Sequence, residues 1–230
     1  MNGAHKILVV DDEKAIRRFL NAGLASQGFS VGQAETGAEA VESVATLKPD
    51  VVVLDLGLPD MEGTEVIQRI RRISAVPIVV LSVRSDEQGK VRALELGADD
   101  YVTKPFGMAE LTARIRTALR HRMQEKGETP IYRSGSLTVD LVGRHVKVDS
   151  VEVKLSAKEF DLLQLLVRQA GRVLTHDFIL REIWGPANTE DVQYLRVYVR
   201  SLRQKLEKDP TQPQYLLTET GVGYRMKAPD

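Results

Sequence analysis

At 230 residues the chain is long enough for two domains, and 43% hydrophobic with 28% charged residues is the composition of an ordinary globular protein. The absence of cysteine excludes disulfides and thiolate metal sites, and no apolar run approaches the roughly 20 residues that a membrane helix needs. The 32 basic and 32 acidic residues cancel, so bulk charge supplies no attraction for nucleic acid, and any such binding requires a local basic face.

The first residues, Met-Asn-Gly-Ala-His-Lys, lead straight into an apolar strand over Lys6–Val10. With no hydrophobic signal region there, the expectation is a cytoplasmic protein. A helical pattern follows over Glu13–Gln27, then a strand around Val31, a helix over Gly37–Leu47, a strand at Val51–Leu54 and a helix over Glu62–Ile73. The alternation continues through Ile78–Leu81, Glu87–Leu96, Tyr101-Val102 and Met108–Arg122. Near-continuous apolar strands are buried on both faces, as in a parallel sheet covered by helices. Five such units predict a doubly wound, five-stranded parallel (βα)5 domain of the α/β class over residues 1–122.

Residues 123–131 are polar and aperiodic, contain Gly127 and Pro130, and read as a linker. Residues 132–230 change pattern. Short alternating strands are predicted at Ser136–Asp140, His145–Val148 and Val151–Lys154, and helices at Ser156–Gln169, Thr175–Ile183 and Thr189–Glu207. The chain closes with Tyr215–Glu219, a Gly221-Val-Gly223 turn and Tyr224–Lys227, which form a hairpin. A small sheet, three helices and a terminal hairpin predict an α+β winged helix-turn-helix domain.

Four signals in the first domain sit where a strand ends: Asp11-Asp12, Asp55, Ser82 and Lys104-Pro105. In an open parallel sheet the carboxyl ends of the strands form the ligand crevice, so three carboxylates, a hydroxyl and an ammonium converge there. Taken singly each has a plainer role: Asp12 could cap the helix after it, and Lys104-Pro105 could be a surface turn. Together they suit phosphoryl transfer. Asp55 is the candidate nucleophile, since a carboxylate can accept a phosphoryl group as an acyl phosphate. Two anions meet in that step, and Mg²⁺ suits one or two carboxylates plus phosphate and water. Asp12 and Asp55 are the expected direct ligands, with Asp11 acting mainly through water and the Gly57 carbonyl filling another position. Lys104 supplies a point charge and Ser82 a donor.

These residues lie in stretches that resemble the receiver domain of two-component response regulators: Val9-Val-Asp-Asp-Glu13, Val52-Val-Leu-Asp-Leu-Gly-Leu-Pro-Asp60, Gly97-Ala-Asp-Asp-Tyr101 and Thr103-Lys-Pro-Phe106. The resemblance implies a phosphodonor, either a phosphohistidine on a sensor histidine kinase or a small acyl phosphate. It also implies that Tyr101 is a switch aromatic, turning inward as Ser82 moves toward the phosphate; its strand position alone suggests only a half-buried aromatic. Lys90, Arg92, Asp99, Asp100, Glu110, Arg114 and Arg116 flank the fifth predicted strand. By composition they form a solvated charged face. The resemblance to the OmpR/PhoB family instead implies a homodimer through the fourth helix, fifth strand and fifth helix, with cross-pairs Lys90–Glu110, Asp100–Arg114 and Asp99–Arg116.

In the last predicted helix Val192, Leu195, Val199, Leu202 and Leu206 repeat at helical spacing and should face the core. The other face carries Arg196, Arg200 and Arg203, with Gln193, Val197, Tyr198, Ser201 and Gln204 beside them, as in a recognition helix. Arg196, Val197, Arg200 and Ser201 are candidates for base edges, and Tyr198, Arg203 and Thr189 for phosphates. Leu155-Ser-Ala-Lys-Glu-Phe-Asp-Leu-Leu163, Gly171-Arg-Val-Leu-Thr175 and Gly221-Val-Gly-Tyr-Arg225 resemble the OmpR/PhoB effector domain. In the wing this chain has Thr220 where some members have Arg, and Arg225 could replace that Arg only if it points outward.

The resemblance therefore implies a transcription factor activated by phosphorylation, binding double-stranded DNA at head-to-tail half-sites and contacting RNA polymerase, rather than a turnover enzyme. Ala15-Ile-Arg-Arg-Phe-Leu20, Trp184-Gly-Pro186 and Thr218-Glu-Thr-Gly-Val-Gly-Tyr-Arg225 are similar to members that control potassium transport. The alternative is a DNA-binding protein whose receiver is a phosphate-independent oligomerisation module. A flavodoxin-like cofactor protein is excluded by the Asp-Asp-Glu loop, which repels phosphate unless a metal intervenes. A phosphatase would need a further base, and His5, His121, His145 and His176 all lie elsewhere in the sequence.

Overall fold

The computed structural model describes residues 4–83, 87–127, 129–186 and 192–230. Contacts within the chain divide it into two units that part between residues 128 and 129.

In the first unit the strands are β1 (Lys6–Val10), β2 (Ser30–Ala34), β3 (Val51–Asp55), β4 (Ile78–Ser82) and β5 (Asp100–Thr103). They pair in parallel in the order β2-β1-β3-β4-β5. The helices are α1 (Lys14–Ser26), α2 (Gly37–Leu47), α3 (Gly63–Ile73), α4 (Glu87–Glu95) and α5 (Met108–Glu125). Leu8, Val10, Val52, Leu54, Ile78 and Val80 share one core with Ala40, Val44, Val66, Ile67 and Ile70 of α2 and α3. Strand alternation sends Ile7, Val9, Val53, Val79 and Leu81 to the opposite face, and they too are fully buried. The order reverses direction between β1 and β3, which opens a crevice at their carboxyl ends.

Two boundaries differ from the sequence expectation in ways that matter. β3 and β4 each reach one residue further, so Asp55 and Ser82 are the last strand residues and are held by sheet pairing. α5 runs three residues into the expected linker, to Glu125, because Met123 still finds a buried position.

The second unit has an antiparallel sheet of β6 (Ile131–Ser134), β7 (Leu137–Asp140), β8 (His145–Val148) and β9 (Val151–Glu152). Helix α6 (Ala157–Arg168) follows, then β10 (Val173–Thr175), α7 (His176–Trp184), α8 (Val192–Leu206), β11 (Leu216–Glu219) and β12 (Gly223–Met226). A capping box of Ser156 and Glu159 starts α6, and the Thr175 hydroxyl starts α7. β6 and β10 were not foreseen in the sequence. β10 joins α6 to α7 and forms only by pairing with β12 in a sheet ordered β10-β12-β11. That pairing requires Gly223, where a Cβ would stand 1.9 Å from the Leu174 carbonyl oxygen. On α8, Leu195, Val199, Leu202 and Leu206 are buried as expected, whereas Val192 is only half-buried. Thr189 lies outside the described residues.

Candidate phosphoryl site and nucleic-acid interface

The β1 and β3 ends bring Asp11, Asp12 and Asp55 together, with one carboxylate oxygen of each within 4.8 Å of the others. Asp11 is fully buried, Asp55 is 8% exposed and Asp12 is exposed. Lys104, at the end of β5, donates to Asp11 Oδ2 at 2.8 Å and lies 3.3 Å from Asp55 Oδ1. The other Asp11 oxygen accepts from the Glu13 backbone N–H at 2.9 Å. Both Asp11 oxygens are thus committed inside the protein, while Asp12, Asp55, Gly57, Ser82 and Lys104 line an open cleft of about 450 Å³.

Burial pushes the Asp55 carboxyl above its ordinary value; the Lys104 charge opposes this and the Asp11 charge adds to it. Burial alone would lower the Lys104 ammonium, but its hydrogen bond to Asp11 and the Asp55 charge raise it instead. The site therefore carries more negative than positive charge. Hard, closely spaced oxygens in this excess are the donor set that Mg²⁺ takes. The loop after β3 is anchored at its far end by Asp60, whose carboxylate accepts from Gly37 and Ala38 N–H at 2.8 and 2.9 Å. Arg17, which the sequence marked only as part of a stretch of family likeness and not as a site residue, donates to the backbone carbonyls of Asp11 and Asp12.

Tyr101 is half-buried against the α2–α3 side of the core, with Lys90 Nζ 5.5 Å from its ring centre. The charged residues around β5 find partners within the chain. Arg114 pairs with Asp100 at 3.0 Å and with Glu110 at 3.2 Å. Asp99 accepts from Arg71 at 2.8 Å and from the Ile78 N–H at 2.7 Å, and Arg116 donates to Gln27 at 3.2 Å. Arg92 is exposed on the same helix as exposed Val91 and Leu94.

On α8 Gln193, Arg196, Val197 and Arg200 are exposed, Val197 by 63%. Tyr198 is half-buried beside Trp184, and its hydroxyl lies 3.2 Å from that of Tyr194. Two expected contact residues are engaged inside the domain. Ser201 donates to Glu159 at 2.6 Å. Arg203 directs Nε and Nη2 to the Leu216 carbonyl at 3.0 and 2.7 Å and Nη2 to the Thr218 hydroxyl at 2.6 Å. Burial pushes the Glu159 carboxyl up, but hydrogen bonds from Lys205, Ser201 and Ser156 outweigh it and hold it at about 2. Thr220 is exposed in the wing turn, and Arg225 is paired with Glu219 at 2.7 Å. No helix among the described residues is long and apolar enough to cross a membrane.

Residues 7–116 match the response regulator receiver domain, and residues 150–226 match the C-terminal domain of transcriptional regulatory proteins. The chain is 48% identical over 219 residues to the KDP operon transcriptional regulatory protein KdpE of Escherichia coli, covering 95% of this chain and 97% of that protein. It is also 48% identical over 223 residues to the transcriptional regulatory protein KdpE of Mycobacterium tuberculosis, covering 96% and 99%. Among solved structures, a CheY-like receiver domain protein from Methanospirillum hungatei matches with a TM-score of 0.51 and 28% identity, over 53% of this chain and 98% of that one. With an acidic, lysine-bridged crevice on a β2-β1-β3-β4-β5 sheet and a winged-helix unit after it, matched by both domain families and by these relatives along nearly its whole length, the chain belongs to the OmpR/PhoB-type two-component response regulators, with a receiver and a DNA-binding transcription-regulatory domain.

Proposed function

We propose that this chain is a cytoplasmic transcription factor switched by phosphorylation of Asp55. The observation that carries this reading is the cluster of Asp11, Asp12 and Asp55 bridged by Lys104 at the crevice. A carboxylate oxygen of Asp55 attacks the phosphorus of a kinase phosphohistidine; the P–N bond breaks and its electron pair stays on the imidazole. With a small acyl phosphate a P–O bond breaks instead and the carboxylate leaves. Asp12, Asp55 and the Gly57 carbonyl would hold Mg²⁺, with Asp11 acting through water, and the bound ion would supply the charge neutralisation that lets two anions meet. Lys104 and Ser82 then bind the phosphoryl oxygens. The acyl phosphate hydrolyses slowly, so the protein carries a signal rather than turning over a substrate.

As Ser82 moves to the phosphoryl group, Tyr101 turns inward and leaves Lys90. The α4-β5-α5 faces of two copies pair, with Lys90–Glu110, Asp100–Arg114 and Asp99–Arg116 crossing the interface and Arg92 beside them. A twofold axis presents the same residues on both copies, so each cross-pair forms twice; Asp100–Arg114 exchanges a pair already made within one chain, and the other two replace different internal partners. Arg196, Val197 and Arg200 are exposed and reach base edges, flanked by Gln193. Tyr198, Thr189 and the wing at Thr220 meet the DNA backbone, while Ser201 and Arg203 brace the helix. Two copies bind head-to-tail half-sites and contact RNA polymerase. Likeness to the KDP operon regulators supports a potassium-transport operon as target.

Intact mass and light scattering, with acetyl phosphate and Mg²⁺, test the reading on wild type and Asp55→Asn. A Mg²⁺-dependent gain of one phosphoryl mass with dimerisation, lost in the variant, is expected. A variant that keeps full regulated DNA affinity would make the receiver a phosphate-independent oligomerisation module.

A further inference from the structure

We propose that Arg17 is a positioning residue of the phosphoryl site: its buried guanidinium fixes the two peptide planes flanking Asp12 and so sets the affinity for the divalent cation. The inference rests on the reading that the three aspartates hold Mg²⁺.

Arg17 lies on α1 and is 4% exposed. Its Nη1 donates to the Asp11 carbonyl at 2.7 Å and to the Asp12 carbonyl at 2.8 Å. These carbonyls belong to the peptides on either side of Asp12. With both turned onto one guanidinium, the direction in which the Asp12 side chain leaves the backbone is fixed. Nη2 pairs with Glu35, whose side chain is 64% exposed, at the end of β2. The Glu35 N–H is held in turn by Glu39 Oε2 at 2.8 Å. A single planar fork therefore links the β2–α2 turn to the acidic loop.

Fold stability alone gives little reason for this arrangement. Burying a charge is costly unless it is paired and hydrogen-bonded, and apolar replacements are often as stable. A guanidinium has two properties an apolar side chain lacks. Its fork reaches two carbonyls and a carboxylate in one geometry, and it stays charged at every physiological pH. Both bear on a neighbouring cation site. The fork pre-orders a ligand that otherwise would lose freedom when the cation binds, whereas the charge opposes the cation as that of Lys104 does, so the informative variant keeps the charge and loses only the fork. Partners one shell behind metal ligands typically change affinity by about 10–100-fold.

The test is calorimetric titration of the full chain with Mg²⁺ alone, beside the Mg²⁺ dependence of the mass gain from acetyl phosphate. Arg17→Lys keeps the charge but loses the fork. Glu35→Gln changes an exposed residue and leaves the fold untouched if Arg17→Lys fails to fold. The Mg²⁺ dissociation constant is expected to rise about tenfold in Arg17→Lys and about two- to fivefold in Glu35→Gln, with the mass gain recovering at saturating Mg²⁺. A purely structural role would lower the unfolding temperature yet leave both Mg²⁺ constants at the wild-type value, and that result overturns the proposal. If wild type itself neither binds Mg²⁺ nor gains mass, the phosphoryl-site reading fails and the proposal falls with it.

Discussion

Lys104 and Asp11 stand 93 residues apart in sequence and 2.8 Å apart in space, and the same ammonium lies 3.3 Å from Asp55. One cation thus partly neutralises two buried carboxylates while the third, Asp12, faces the cleft. On the proposed function, Lys104 in this arrangement would compete with a metal ion for the site before phosphorylation and assist the phosphoryl group during it.

Lys104→Met separates those roles. The rate of mass gain from acetyl phosphate is expected to fall by about 100-fold, the usual cost of losing one charge-stabilising donor. Mg²⁺ affinity is expected to rise, because a competing positive charge has gone. Calorimetry and timed intact mass measure both, and the rise contrasts in sign with the weakening expected for Arg17→Lys.

The raised Asp55 carboxyl makes a prediction about stability. Burial favours its neutral form in the folded state, so the folded protein loses stability as pH rises through that folded value. Asp55→Asn removes the buried charge at similar size. Without Mg²⁺ its Tm is expected to exceed wild type by about 2–5 °C at neutral pH. The difference should disappear below the ordinary carboxylate value of 3.8, where Asp55 is protonated in both states. A thermal melt at each pH decides; an unchanged Tm at neutral pH would mean that Lys104 compensates Asp55 fully.

Glu159 behaves oppositely. Its folded value of about 2 lies below the ordinary 4.5, so its contribution is present above that ordinary value and lost as pH falls toward 2. Glu159→Gln is expected to cost the winged-helix unit about 2 kcal/mol at pH 7, discounted for the partly exposed Lys205 partner. Trp184, the sole tryptophan, reports this unit, and its fluorescence in a urea titration should show the earlier midpoint. At pH 2 the two proteins should converge.

Arg200 and Arg203 occupy one helix but differ in expected effect. Arg200 is exposed, and Arg200→Ala should weaken binding to promoter DNA by about 10–100-fold with no change in the urea midpoint. Arg203 holds the Leu216 carbonyl and the Thr218 hydroxyl. Arg203→Ala should therefore lower the urea midpoint and weaken all DNA sequences alike through the misplaced wing. Fluorescence anisotropy on promoter and scrambled duplexes separates the two.

Much of the geometry of the candidate site was legible in the sequence because Asp11, Asp12, Asp55, Ser82 and Lys104 each follow a strand-like run, and a run marks a strand by local periodicity. Arg17 and Arg71 were not. Arg17 binds the carbonyls of Asp11 and Asp12, and Arg71 those of Gly97 and Val76. Every residue has a carbonyl, so these partners leave no mark on the chain. β10 was hidden for a related reason: its three residues become a strand only when Gly223 lets β12 approach.

The sequence by itself determined the kinds of elements, their order, and which chemical groups stand at the strand ends. Periodicity, capping residues and side-chain type act over a few neighbouring positions. Only the tertiary structure decided which like residues serve the fold and which face outward. Arg200 and Arg203 are the same residue one helical turn apart. Whether each meets solvent or a carbonyl of β11 depends on packing between elements distant in the chain, and that packing is where burial and hydrogen-bond partners are set.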